Sequence, residues 1–316
     1  MRVMFWGTPE FAAPALRALA GEGFEVCAVV TRPDTPVGRD RVLTAPTIKQ
    51  IALKESLPVF QPSSPREPDF YELLEVVAPD LSVVVAYGHI LPKQIIDLPR
   101  LGTLNIHASL LPALRGAAPI QAAIRDGLTE TGVTIMRMVP ALDAGPIVLQ
   151  SRTPIADDET YGELAGRLSE MGALALIEAL TLIEIGRAPE HPQDDSRATY
   201  ARKVDRETTR IDWTLGAKEV ANAIQAYDPR PGAWSTHRGA DVKIFGARRM
   251  FDVNGRAGEV LDTGDEGLVV GCGTGAVRIC DVQPSGKKRM QAAAWHRGRG
   301  ISVGDILGGL ASGSLR

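Results

Sequence analysis

Cysteine is scarce in this chain: three in 316 residues, Cys27, Cys272 and Cys280. An odd number at such wide spacing excludes a disulfide framework and gives no zinc pattern, so a reducing cytosol and no metal are expected. Long apolar runs are missing as well. None approaches the ~18 residues that cross a bilayer, so no membrane helix is predicted. The opening Met1-Arg2-Val3-Met4-Phe5-Trp6-Gly7 lacks the long apolar core and small-residue cleavage site of a signal peptide. Phosphate-binding signatures are missing too. The first turn holds only Gly7, so it cannot make a G-x-G-x-x-G dinucleotide loop. Gly271-Cys272-Gly273-Thr274-Gly275 lies between two strand patterns and opens no helix, so it reads as a hairpin turn. Gly286-Lys287-Lys288 lacks the rest of a Walker loop. An enzyme built on a bound nucleotide cofactor is therefore disfavoured.

What is present suggests about two domains, at ~150 residues each. Strand patterns at 3–6, 24–30, 81–86, 102–107 and 132–138 alternate with helical ones. One helix should open at Pro9 and run to about residue 20. A long one should cover 159–185, with Leu164, Leu168, Met171, Leu174, Ile177 and Leu180 on its apolar stripe. The 81–86 run is apolar enough to be buried on both faces. Strands alternating with helices mean βαβ units, hence an α/β fold with a parallel sheet. Residues 186–205 break the rhythm: they are polar, contain Pro189 and Pro192, and read as a linker. Beyond them come one helix at 217–226 and short strands at 242–245, 258–261, 267–270 and 276–279. A small barrel of the oligonucleotide-binding type would fit. The expected boundaries are 1–188, a linker at 189–206, and 207–316.

The net charge of −3 is unevenly placed. Residues 1–205 carry 19 Lys/Arg against 26 Asp/Glu, and residues 206–316 carry 16 against 12. The basic second part permits a nucleic-acid contact, although drift of surface charge would look the same.

The most informative segment is Asn105-Ile106-His107-Ala108-Ser109-Leu110-Leu111-Pro112. Asn105 and His107 stand two apart at the end of a strand, so their side chains share one face. Ligands of open parallel sheets bind beyond the carboxyl ends of the strands. An amide and an imidazole there can donate to one oxygen and stabilise an oxyanion in acyl transfer. The same pair could also merely finish a strand. Asp143, expected at the carboxyl edge of the next strand, could orient His107 or take a proton, or be an ordinary turn aspartate.

These residues carry a resemblance. Gly7-Thr8-Pro9-Glu10-Phe11-Ala12, Val83 to Gly88 with Leu91-Pro92, the Asn105–Pro112 segment followed by Arg115-Gly116-Ala117-Ala118-Pro119-Ile120, and Thr131 to Met136 resemble the methionyl-tRNA formyltransferase family. Tyr200-Ala201, Ile211-Asp212-Trp213 and Gln283 to Lys288 extend the likeness over nearly the whole chain. The resemblance implies a Rossmann-like, mostly parallel sheet of formyltransferase type and an OB-like β-barrel that helps hold tRNA. It implies transfer of a formyl group from the co-substrate 10-formyltetrahydrofolate to methionyl initiator tRNA. Asn105, His107 and Asp143 fall on the family's catalytic positions. Ser109, Leu110, Leu111, Pro112, Tyr87 and Gly88 fall on folate-binding ones. Arg39, Arg41, Lys203, Lys287, Lys288 and Arg289 are the expected tRNA contacts. Around the aspartate the family reads Gly-Leu-Asp-Thr-Gly-Asp, where this chain has Ala141-Leu142-Asp143-Ala144-Gly145-Pro146.

The mechanism expected on this basis is direct attack of the amine on the formyl carbon, with Asn105 and a protonated or donating His107 on the oxyanion and Asp143 assisting proton removal. Glycinamide ribonucleotide and sugar-nucleotide formyltransferases use the same donor, but the length and the Arg115–Ile120 segment speak against both. The expected protein is a cytoplasmic monomer with a small-molecule folate donor, a tRNA partner and no membrane.

Overall fold

The structure, a computed structural model, describes residues 1–38 and 41–309. Contacts divide the chain into two compact units. The first is Met1–Gly116, Thr131–Thr153 and Ala165–Ala201, and the second is Ala117–Glu130, Pro154–Leu164 and Arg202–Arg316. The second unit thus recruits two stretches that composition assigned to the first. Helix Pro119–Arg125 packs on helix Ala217–Ala226. Gly162 N donates to Asp228 O at 3.0 Å, and Arg249 pairs with Asp157 at 2.9 Å.

Seven strands make the sheet of the first unit, in the order Ile147–Pro154, Glu130–Arg137, Thr103–His107, Leu81–Val85, Arg2–Gly7, Glu25–Val30 and Val59–Phe60. The last five run parallel, and Glu130–Arg137 runs antiparallel to Thr103–His107. Leu81–Val85 is buried along its whole length, as its unbroken apolar run requires. The chain leaves Arg2–Gly7 toward one side and later returns on the other at Leu81–Val85. The crevice beyond the carboxyl ends of these two strands is therefore a topological switch point. Thr8 Oγ1 donates to Tyr87 O across it at 2.8 Å.

Two helices differ from expectation. Pro9 precedes a 3₁₀ turn, Glu10–Ala12, and the α-helix proper is Ala13–Gly21, with Pro14 in its first turn. The long helix is Tyr161–Glu184, started by a capping box in which Thr160 Oγ1 accepts from Glu163 N and Glu163 Oε2 accepts from Thr160 N. Leu174, assigned to its apolar stripe, is 74% exposed.

In the second unit, strands Ala233–His237, Ala240–Met250, Ala276–Pro284, Gly267–Gly271 and Val260–Gly264 form an antiparallel sheet in that order. Residues 304–308 join its two edges. Val260 N donates to Asp305 O, Leu307 N to Gly258 O and Gly308 N to Thr236 O, at 2.7–2.9 Å. The sheet is thereby closed, as the expected OB-like barrel requires. No helix of the described residues is long and apolar enough to cross a membrane.

Candidate active site

Strand Thr103–His107 places Asn105 and His107 on one face, as its two-residue period dictates. Asn105 is half-buried and His107 is 5% exposed. His107 Nε2 lies 3.0 Å from Leu114 O. A carbonyl can only accept, so Nε2 carries the hydrogen. The ring's other nitrogen, Nδ1, faces Asp143 Oδ2 at 3.7 Å. Burial pushes the imidazole pKa below its ordinary value, and the Asp143 charge and the Leu114 bond only partly oppose this. The ring is therefore neutral near pH 7, with its lone pair on Nδ1. The expectation of a protonated or donating His107 is corrected accordingly: the ring is neutral, its Nε2–H is engaged by Leu114 O, and only Nδ1 is open to chemistry.

Asp143 reaches His107 by a different route from the one its strand suggested. Because Glu130–Arg137 is antiparallel, Arg137 pairs with Leu104 and Thr134 with His107. The strand's carboxyl end is thus at the far end from His107, and the loop 138–146 must turn back to bring Asp143 in. Its Oδ2 accepts from Gly116 N at 2.8 Å. Asp143 sits at φ +47°, in the left-handed region. Gly145 allows the turn, since a Cβ there would lie 1.7 Å from Arg137 O.

The loop after His107 is bonded inward. Ser109 Oγ donates to Ala113 O at 2.6 Å, and Ser109 O accepts from Thr134 Oγ1 at 2.6 Å. Gln150 Nε2 donates to Leu111 O and to Thr134 Oγ1, both at 2.9 Å. Ser109 is buried and its hydroxyl is occupied, so it shapes the turn and has no free donor for a ligand. Leu111 is buried, while Leu110 and Pro112 are half-exposed. Tyr87 is 1% exposed and packs edge-on against Trp6 at 5.3 Å. Burial pushes its phenol up to about 12. Its side chain is core; the switch-point crevice meets only the backbone of Tyr87 and Gly88, the glycine at φ +92°.

Sequence reasoning missed the residues that hold this arrangement. Arg115, 4% exposed, donates from Nε and Nη2 to Gln193 Oε1 at 3.1 and 2.8 Å, and from Nη2 to Asp195 Oδ1 at 2.7 Å. Gln193 Nε2 donates to Asp143 O and Gly145 O, both at 2.8 Å. Leu114 N donates to Thr199 Oγ1, and Tyr200–Ala201 pairs with Arg115–Gly116. Residues 193–201, read as linker, therefore belong to the wall of the site. Their contacts are hydrogen bonds rather than apolar packing, so no periodicity announced them.

Of the expected tRNA contacts, Arg39 lies outside the described residues. Arg41 is exposed in the turn of the hairpin Thr35–Val37 and Val42–Thr44, at φ +48°. Lys203, Lys287 and Lys288 are exposed. Arg289 is not available in the same way. Its Nη1 donates to Asp228 Oδ1 at 2.8 Å and its Nε to Asp281 Oδ2 at 2.9 Å, and it lies over the Phe245 ring at 4.2 Å. A cleft of ≈ 490 Å³, lined by Arg210, Trp213, Arg256 and Leu307 among others, belongs to the second unit and includes none of the expected site residues. No group of three or more His, Cys, Asp or Glu among the described residues could hold a metal ion.

Residues 1–180 match the formyl transferase family, and residues 203–300 match its C-terminal domain. A methionyl-tRNA formyltransferase of Moorella thermoacetica is 48% identical over 310 residues, 98% of this chain and 99% of that one. Another, of Thiobacillus denitrificans, is 46% identical over 98% of this chain and 100% of its own. Among solved structures, HypX from Aquifex aeolicus in complex with tetrahydrofolic acid superposes with TM-score 0.65 at 23% identity, over 93% of this chain and 46% of that one. A sugar 3N-formyl transferase superposes with TM-score 0.67 at 17% identity, over 91% and 99%. These two likenesses concern the fold alone.

Proposed function

The chain belongs to the methionyl-tRNA formyltransferases, and from that premise we infer that it transfers a formyl group from 10-formyltetrahydrofolate to the α-amino group of methionyl initiator tRNA. The product is the formylmethionyl-tRNA with which translation starts. The observation that carries the chemical reading is the pair of buried His107 Nδ1 and half-buried Asp143 Oδ2, 3.7 Å apart beyond a strand that also bears Asn105.

The amine attacks the formyl carbon; a C–N bond forms and the bond to the folate nitrogen breaks. The amine loses a proton and the departing nitrogen gains one. Asn105 is the donor for the formyl oxygen as charge gathers on it. His107 is neutral, with Nε2–H held by Leu114 O, so its Nδ1 lone pair takes the amine's proton. The adjacent Asp143 carboxylate stabilises the imidazolium, which returns the proton to the departing nitrogen. No covalent enzyme intermediate is required.

The donor's binding is assigned to the backbone at Tyr87 and Gly88 and to the 109–112 turn. The exposed Lys203, Lys287, Lys288 and Arg41, with Arg39, are assigned to tRNA phosphates. The enzyme acts as a monomer in the cytoplasm, where charged tRNA is used; three free cysteines fit that compartment. Incubation with 10-formyltetrahydrofolate and methionyl initiator tRNA should yield formylmethionine. His107→Ala should lower turnover by ~10²-fold or more. Near-normal turnover in that variant would refute the assignment of the site.

A further inference from the structure

Asp143 has a backbone conformation that side-chain-bearing residues rarely adopt, φ +47°. Such a residue persists only where its surroundings enforce it. Its carboxylate is fixed by Gly116 N, but that bond does not fix its own peptide. Two carbonyls of the turn, Asp143 O and Gly145 O, converge on one group, the amide of Gln193, at 2.8 Å each. The amide's orientation is unambiguous. Arg115 has only donors, so Oε1 must face it and both Nε2 hydrogens must face the carbonyls. All of these bonding groups are used, in a chain from Asp195 through Arg115 and Gln193 to the turn that carries Asp143.

We propose that Gln193 is a positioning residue that holds Asp143 in its left-handed conformation and thereby aims the carboxylate at His107 Nδ1. The proposal rests on the catalytic reading of Asp143 given above. Without the clamp the turn relaxes toward right-handed backbone, and the carboxylate leaves Nδ1. Gln193 is hydrogen-bonded to Arg115 and to the turn, and to neither His107 nor any group assigned to a substrate, so its loss acts on turnover and not on binding.

The test uses the full-length enzyme with two variants at this position. Gln193→Met keeps the length and removes both donors. Gln193→Glu keeps the length and the partner of Arg115, yet offers only acceptors to the two carbonyls. If the first fails to fold, the second still carries the test. Each should lower kcat by about 10- to 100-fold, the loss of two bonds of ordinary strength, while KM for 10-formyltetrahydrofolate and for charged tRNA changes less than about threefold. The same substitutions in an Asp143→Asn background should cost little more, because the group they aim is already gone. An unchanged kcat in either folded variant overturns the proposal. So does a loss that multiplies fully on top of Asp143→Asn, which would mean that Gln193 acts through something else. Near-normal turnover of Asp143→Asn alone would overturn the catalytic reading of Asp143 itself, and the clamp with it.

Discussion

Arg115 in the first unit, on the short strand Arg115–Gly116, and Lys287 and Lys288 in the second, beyond the strand Ala276–Pro284, are cations in opposite surroundings. Arg115 is buried, with its guanidinium shared between Gln193 and Asp195. The two lysines stand exposed, with no side-chain partner among the described residues. The first arrangement fixes atoms, as the proposed catalytic site would require, since there an error of an ångström is costly. The second leaves charge free, as the proposed contact with tRNA phosphates, which need only be approached, would require. Arg289 shows why sequence proximity misleads. It directly follows the lysines, yet two carboxylates and the Phe245 ring hold it, so it belongs with Arg115.

Four experiments can break or sharpen this contrast. The largest effect is expected in the fixed site: Asn105→Ala, His107→Ala and Asp143→Asn should each lower turnover by ~10²-fold or more, with tRNA affinity measured by filter binding unchanged. Next comes the exposed charge. Replacing Lys203, Lys287 and Lys288 together with Ala should weaken tRNA binding by about 30-fold at low salt and flatten its log–log salt dependence by up to ~0.9 for each phosphate no longer neutralised. Folate affinity should stay as it was; an unaltered tRNA slope would remove these lysines from the interface. Arg289→Ala should behave differently from its neighbours. It leaves the buried Asp228 without its ion pair, so urea unfolding should report a loss of about 1.5 kcal/mol, with the tRNA salt slope intact. A changed slope with unchanged stability would move Arg289 into the second class.

The smallest effect is on pH dependence. The folded pKa of His107 lies below its ordinary value of about 6.5. As pH falls through that value the unfolded chain takes up the proton first, so it binds more protons than the folded one. The stability that this residue contributes is complete above about pH 6.5 and declines as pH falls toward the depressed folded pKa. In Asp143→Asn the attraction opposing burial is lost, and the imidazole should titrate lower still. A higher titration point, followed by proton resonances of the ring, would contradict the geometry.

The sheet was legible because its strands are buried and apolar: Leu81–Val85 and Arg2–Gly7 announce themselves by composition alone. Val59–Phe60, two residues long, has too few to show a period. Asn105 and His107 were readable as a pair because a strand's period places them together. Asp143 was singled out from its place after the next strand, and the resemblance agreed; the argument assumed a parallel neighbour, whereas the strand is antiparallel and the 138–146 loop brings Asp143 in by turning back. Gln193 gave no signal, since its role lies in hydrogen bonds to main-chain atoms nearly fifty residues away. The pairing of Arg289 with Asp228, 61 positions earlier, could not be inferred from spacing.

The bonds of residues 304–308 carry one more consequence. Strand margins with bare N–H and C=O groups are templates on which other chains assemble. Here the margins near Val260 and Thr236 are occupied by the same short segment. Proteolytic nicking ahead of Gly304 would expose both at once while leaving the rest of the barrel's ladder intact. Such a clipped protein should be prone to edge-to-edge aggregation, and the hazard would come from losing a segment that includes none of the residues assigned to catalysis.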